Sequence, residues 1–326
     1  MSQNTQKYRK LAAALLKWII GFVAFWYIYQ QIIASGRQDW WSAFESTFQD
    51  RHQLPWLFIA VILMPINWSL EAVKWKRLVQ HLEQISFFTS FRAVCSGITV
   101  SMFTPNRIGE YAGRVFVLKS ESRIQAAIAT VIGSIGQLVV TVCVGTVATI
   151  AVSIGSQLFS AVLLVPILFL LSLISLLFLV FFIRIQRVSQ WFHRLPMPAS
   201  WKQHGAVFSQ YPMSQTCWLL VISLLRYLVF SLQFYLLMRY FGVPVLLFQA
   251  FAGIAVVYLI MAIAPTFAIT ELGVRGSVAL LVFSPMVTQT DGVVYAASLL
   301  WMINLIVPAL VGCFFVFDFK LLHSNG

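Results

Sequence analysis

The chain has 326 residues, 60 % of them hydrophobic and 10 % charged, with 22 Lys and Arg against 10 Asp and Glu. So few charges, with a mean hydropathy of +0.85, exclude a soluble globule, whose charged fraction is nearer a quarter. Apolar spans of about 20 residues take up nearly the whole length and leave no soluble catalytic domain between them. The basic excess falls at the ends of those spans, which is positive-inside topology rather than a nucleic-acid footprint.

Lys7, Arg9 and Lys10 precede an apolar run at about 11–33, longer than a signal-peptide core and carrying Lys17, so it reads as a retained first span. The loop behind it (Arg37, Asp39, Trp40, Trp41, Glu45, Asp50, Arg51) mixes charge with aromatic rings, as an external interfacial segment does. A second span at about 54–73 ends in Lys74, Lys76 and Arg77, which the charge rule assigns to the cytoplasmic side. Residues 87–103 and the stretch up to 118 are each marginal for a crossing and read together as a hairpin entering from the cytoplasm. A third span at 124–152 is rich in small residues (Gly133, Ser134, Gly136, Gly145, Ala148) that let helices approach closely. The most hydrophobic span, 159–183, ends in Arg184, Arg187, Arg194 and Lys202, and a fifth, 215–238, carries Arg226 near its middle. Residues 245–264 and 272–284 form a second pair of arms, and a last span at 293–317 returns to Lys320.

The expected fold is therefore an all-α polytopic membrane protein, a single integral domain over 1–326. It has about six full spans plus two re-entrant helical hairpins, or up to ten shorter helices. External loops hold only Arg37, Arg51 and Arg239 of the basic residues, so the N- and C-termini are expected in the cytoplasm. Three spans separate the hairpins. An odd number turns the two breaks to opposite faces, giving an inverted repeat of halves 54–152 and 214–317, the architecture expected of a carrier with alternating access.

The chemistry concentrates at the two breaks, 104–114 and 264–276. The first carries Pro105, Arg107, Glu110 and Arg114; the second carries Pro265, Glu271 and Arg275. In both, Glu precedes Arg by four residues, the favourable order for a pair on one helix face. Two readings stay open: each pair neutralises itself and pins its hairpin, or the arginines hold an anion. Arg107, beside a helix N-terminus whose unpaired N–H groups favour anions, suits a phosphate or carboxylate. Thr104 and Thr270 are candidate helix caps. Gly109 and Gly113 have the GxxxG spacing of close packing, and Gly273 is the matching structural glycine of the second break. Arg226, the only charge in its span, is expected to face a polar cavity. Asn67 and Asn304 are expected to hydrogen-bond between helices. Cys95, Cys143, Cys217 and Cys313 stand singly in apolar runs, and His52, His81, His193, His204 and His323 form no cluster, so no metal or cofactor is expected.

The run Thr104-Pro105-x-Arg107-x-Gly109-Glu110, with Leu272-Gly273-Val274-Arg275 after a proline, resembles the lysylphosphatidylglycerol synthase transmembrane family, also called the flippase-like domain family. The family pattern commonly has a Gly where Asn106 stands and a Glu directly after the second run, where this chain has Gly276. In the multidrug-resistance synthases of that family the membrane domain precedes an aminoacyl-transferase domain and is associated with moving the modified lipid across the bilayer. The resemblance implies a membrane domain standing alone here, with Arg107, Gly109, Glu110 and Arg275 carried over.

The function expected is a carrier that takes an anionic lipid or lipid-linked precursor across a bacterial inner membrane, with Arg107, Arg114, Arg226 and Arg275 on the headgroup and Glu110 and Glu271 orienting them. A non-transporting scaffold for a biosynthetic enzyme is the alternative, with a homodimer or that enzyme as partner. An intramembrane lipid transferase ranks behind both, because no nucleophile, metal cluster or nucleotide loop is present in the sequence, and no catalytic activity is expected.

Overall fold

A computed structural model describes residue 26 and residues 52–102, 104, 108–118, 122–155, 161–194, 205–264 and 268–323. Apart from residue 26, the expected first span at 11–33 and its charged loop lie outside the described residues, as do Pro105, Asn106, Arg107, Pro265 and Lys202. Every regular element among the described residues is helical, in an all-α polytopic membrane protein: α1 (Leu54–Val79), α2 (Phe87–Met102), α3 (Gly109–Val115), α4 (Arg123–Gly155), α5 (Ala161–Ile183), α6 (Gln186–Arg194), α7 (Met213–Tyr240), α8 (Leu247–Ile263), α9 (Ala268–Phe283), α10 (Thr290–Trp301) and α11 (Val307–His323).

Among the described residues five helical stretches are long and apolar enough to cross a membrane: Leu54–Val79, Arg123–Ser153, Val165–Ile183, Met213–Tyr240 and Thr290–Phe315. They coincide with the five described members of the six expected spans. The arms of both expected hairpins are shorter, α2 and α9 having 16 residues each and α3 only 7.

Local chemistry explains the boundaries. α1 has a proline in its first turn, where the missing N–H costs nothing, and Lys76 and Arg77 in its last turn against the negative end of the helix dipole. α7 closes through Gly242, whose φ of +68° is the left-handed conformation a helix C-terminus favours. Between α10 and α11 the chain widens into a π turn, Met302–Ile306. Pro308 is the physical cause, having no N–H for the carbonyl of residue 304 and a ring that crowds it.

α1 and α7 run antiparallel through the centre. Gln233 Nε2 donates to Ala60 O at 2.8 Å at one end, and Tyr211 Oη donates to Leu78 O at 2.7 Å at the other. The remaining elements exchange contacts between the two ends of the chain: α11 packs on α2, while α4 packs on α8. Glycine makes both exchanges possible. A Cβ on Gly312 would collide with Cys95 O and Thr99 Oγ1 of α2, and one on Gly145 would meet Leu259 Cβ of α8 at 2.7 Å. The small residues read as packing sites in the third span do pack: Gly133 faces Leu78 and Gly136 faces Phe182.

Two expectations need correction. Lys74, expected among the basic residues at the cytoplasmic end, is 2 % exposed inside the bundle, because α1 continues past it for another turn. Thr270, expected to cap the second arm, lies inside α9, Ala268–Phe283.

Replacing Gly312 by Val places a branched side chain against the α2 backbone. Overpacking of this kind costs about 1–3 kcal/mol, so thermal unfolding of the purified variant in detergent should fall well below wild type, with helical content unchanged at low temperature.

Candidate functional site

A carboxylate inside an apolar bundle must be met by cations or it would not stay ionised. Glu71, on the face of α1 turned to α7, is 4 % exposed and meets three of them. Its Oε1 accepts from Arg114 of α3 at 2.8 Å; its Oε2 accepts from Lys74 at 2.7 Å and from Arg226 of α7 at 2.8 Å. Charge-assisted bonds at these lengths are the strong kind.

Arg114 comes from the first break and reaches Glu71 because of packing chemistry. Gly97 of α2 and Gly113 of α3 bring the two backbones together: a Cβ on Gly113 would lie 2.7 Å from Gly97 Cα. A Cβ on Gly97 would lie 2.8 Å from Arg114 Cγ, so the bare glycine is the gap through which the arginine passes. The expected GxxxG packing is thus observed, and it aims a charge. Thr104, expected as the N-cap directly before Pro105, is not the capping residue, because α3 starts at Gly109 behind Ile108; its Oγ1 instead accepts from Gly109 N–H at 2.7 Å. Glu110, in the first turn of α3 at the positive end of its dipole, pairs with the other terminal nitrogen of Arg114.

Arg226, halfway along α7, is the most accessible cation of the cluster: its side chain is 21 % exposed where Arg114's is 3 % and Lys74's 2 %. Its Nε donates to Asn67 Oδ1 at 3.1 Å, and its guanidinium carbon lies 5.0 Å from the centre of the Trp68 ring. Asn67 Nδ2 donates to Asn304 Oδ1 at 3.1 Å, the interhelical bond expected of these two residues. The second break holds its own pair, Arg275 NH2 to Glu271 Oε1 at 2.7 Å, with Glu271 in the first turn of α9. Tyr258, edge-on to Tyr227 at 5.6 Å, lies within electrostatic reach of Arg275.

Of the residues singled out in the sequence, the structure therefore joins Glu110, Arg114 and Arg226 in one cluster and keeps Glu271 and Arg275 as a pair at the other break. Glu71 and Lys74, which complete the cluster, were not singled out. The signal was available: an acid three residues before a lysine inside an apolar span. Among the described residues no group of His, Cys, Asp and Glu is arranged to hold a metal ion.

The sequence matches the family described as the Lysylphosphatidylglycerol synthase TM region over residues 11–312. Comparison with curated proteins finds no match.

Breaking a buried ion network from its acidic side leaves cations without a counter-charge, at a cost of about 3–5 kcal/mol. Glu71→Gln should therefore unfold at much lower temperature than wild type, and Glu71→Gln combined with Lys74→Met should recover part of the loss, since one of the stranded cations is then gone.

Proposed function

The chain belongs to the lysylphosphatidylglycerol synthase transmembrane family, and from that membership we propose that it is a flippase-like carrier moving an anionic lipid or lipid-linked precursor across the membrane. A role in lipid biosynthesis or transport follows from the family; the carrier activity is our reading. The charge balance of the buried cluster supports it most directly. Among the described residues three cations, Lys74, Arg114 and Arg226, face two carboxylates, Glu71 and Glu110, which leaves one positive charge in excess. An uncompensated charge at bilayer depth costs about 2.5–3.5 kcal/mol on insertion scales, and an anionic headgroup entering beside Arg226 removes that cost.

The residues divide the work. Arg114, closed between two carboxylates, ties the first hairpin to α1. Arg226 offers its guanidinium to the headgroup, with Arg107 at the mouth of the break as a second donor whose planar fork fits phosphate oxygens. Glu110 and Glu271 hold their arginines until the headgroup displaces them, and Arg275 receives it at the other break while the acyl tails stay in lipid. The antiparallel α1–α7 pair and the reciprocal exchange of α4 and α11 favour two halves in an inverted repeat, each with a re-entrant hairpin, rocking about the central pair. In this reading the chain sits in a bacterial inner membrane with both termini cytoplasmic.

A second reading is favoured by the saturation of Glu71, which accepts from three cations at once. A scaffold for an envelope enzyme, or a homodimer, needs such a network only to hold its shape.

Native mass spectrometry of the gently extracted protein separates the two. The carrier reading expects wild type to retain one anionic lipid class, and Arg226→Gln and Arg107→Gln to lose it without loss of fold. Equal, unselective lipid in all three would favour the scaffold.

A further inference from the structure

The π turn in the last span has a consequence for Arg226. Pro308 withholds an N–H from the carbonyl of Asn304 and crowds it, and the helix widens over Met302–Ile306. π turns of this kind shift a side chain out of ordinary helical register and are frequent at functional sites. Here the shifted side chain is Asn304, 5 % exposed and set against α1.

The amide chemistry then fixes a direction. Arg226 can only donate, so Asn67 must present its oxygen to Nε, at 3.1 Å. That turns the Asn67 nitrogen toward Asn304, whose oxygen accepts it at 3.1 Å. The Asn304 nitrogen is left to donate to Leu300 O at 3.2 Å. One consistent relay runs from the backbone of α10 through two side-chain amides to the guanidinium. With Nε held by Asn67, one terminal nitrogen held by Glu71 and the Trp68 ring at 5.0 Å, the plane of Arg226 has little freedom.

We infer that Asn304 is a positioning residue for the anion site: through Asn67 it fixes the plane of the Arg226 guanidinium and so sets how selectively an anionic headgroup is held. The inference rests on Arg226 being the headgroup donor. It also makes the π turn a point at which movement of the last span reaches Arg226 through two hydrogen bonds.

The test uses the full chain, purified and equilibrated with an equimolar mixture of phosphatidylglycerol and phosphatidylcholine, the ratio of the two retained lipids being read by native mass spectrometry. Asn304→Leu should lower the preference for phosphatidylglycerol by up to about tenfold, the upper size expected for a hydrogen bond between neutral groups. Asn67→Leu removes both hydrogen bonds of the relay without changing the charge of the cluster, so in that background Asn304→Leu should change the ratio by less than about twofold. Thermal unfolding of each variant runs alongside. An unchanged ratio in Asn304→Leu with a lowered unfolding temperature makes the amide a packing residue and overturns the inference, as does an equal loss in both backgrounds. Identical ratios for wild type and Arg226→Gln would instead overturn the headgroup site itself, and the inference with it.

Discussion

Everything in the centre of this protein follows from keeping Glu71 ionised where there is almost no water. One carboxylate cannot be left alone at that depth, and the three cations that answer it come from the same helix, from the first hairpin and from the opposite half of the chain. Satisfying Glu71 therefore fixes the fold: it requires α3 to fold back against α2 and α7 to cross α1 in register. The glycines at 97 and 113 are subordinate to it, since a side chain at Gly97 would stand in the path of Arg114.

The stretches expected as two halves, 54–152 and 214–317, differ in chemistry. Their second helices open at Phe87 and Leu247, 160 residues apart, and Pro105 and Pro265 keep the same offset. Counted by it, Glu71 and Lys74 correspond to Ser231 and Phe234, so α7 carries no acid where α1 carries its hub. Glu271 and Arg275 pair one turn apart in α9, with Tyr258 within electrostatic reach, whereas Glu110–Arg114 is drawn into a network of five charges.

Much of the plan was legible in the sequence because hydropathy and proline placement speak directly. The spans at 54, 124, 159, 215 and 293 begin within three residues of their observed helices, since water-to-lipid partition fixes apolar length. Glu110 and Arg114 stood out because they interrupt an apolar run, and Asn67 and Asn304 because a side-chain amide in a span needs a partner. Glu71 and Lys74 were hidden by their position near a basic helix end. There a lysine has an ordinary explanation in topology, and only the neighbouring helices show that it points inward. The π turn was equally hidden, because Pro308 announces a disturbed helix but not which side chain the disturbance turns toward α1.

The central claim, that the excess positive charge beside Arg226 serves passage of an anionic headgroup, is tested most directly by lipid movement. Phosphatidylcholine vesicles containing the purified protein and a trace of acyl-labelled fluorescent phosphatidylglycerol in both leaflets are treated from outside with dithionite, which bleaches only what it can reach. The account predicts that wild type delivers inner-leaflet label to the outside and that Arg226→Gln, folded and present at equal density, does so much more slowly. Bleaching by wild type that stops at the plateau of protein-free vesicles, or equal rates for the two proteins, would contradict it.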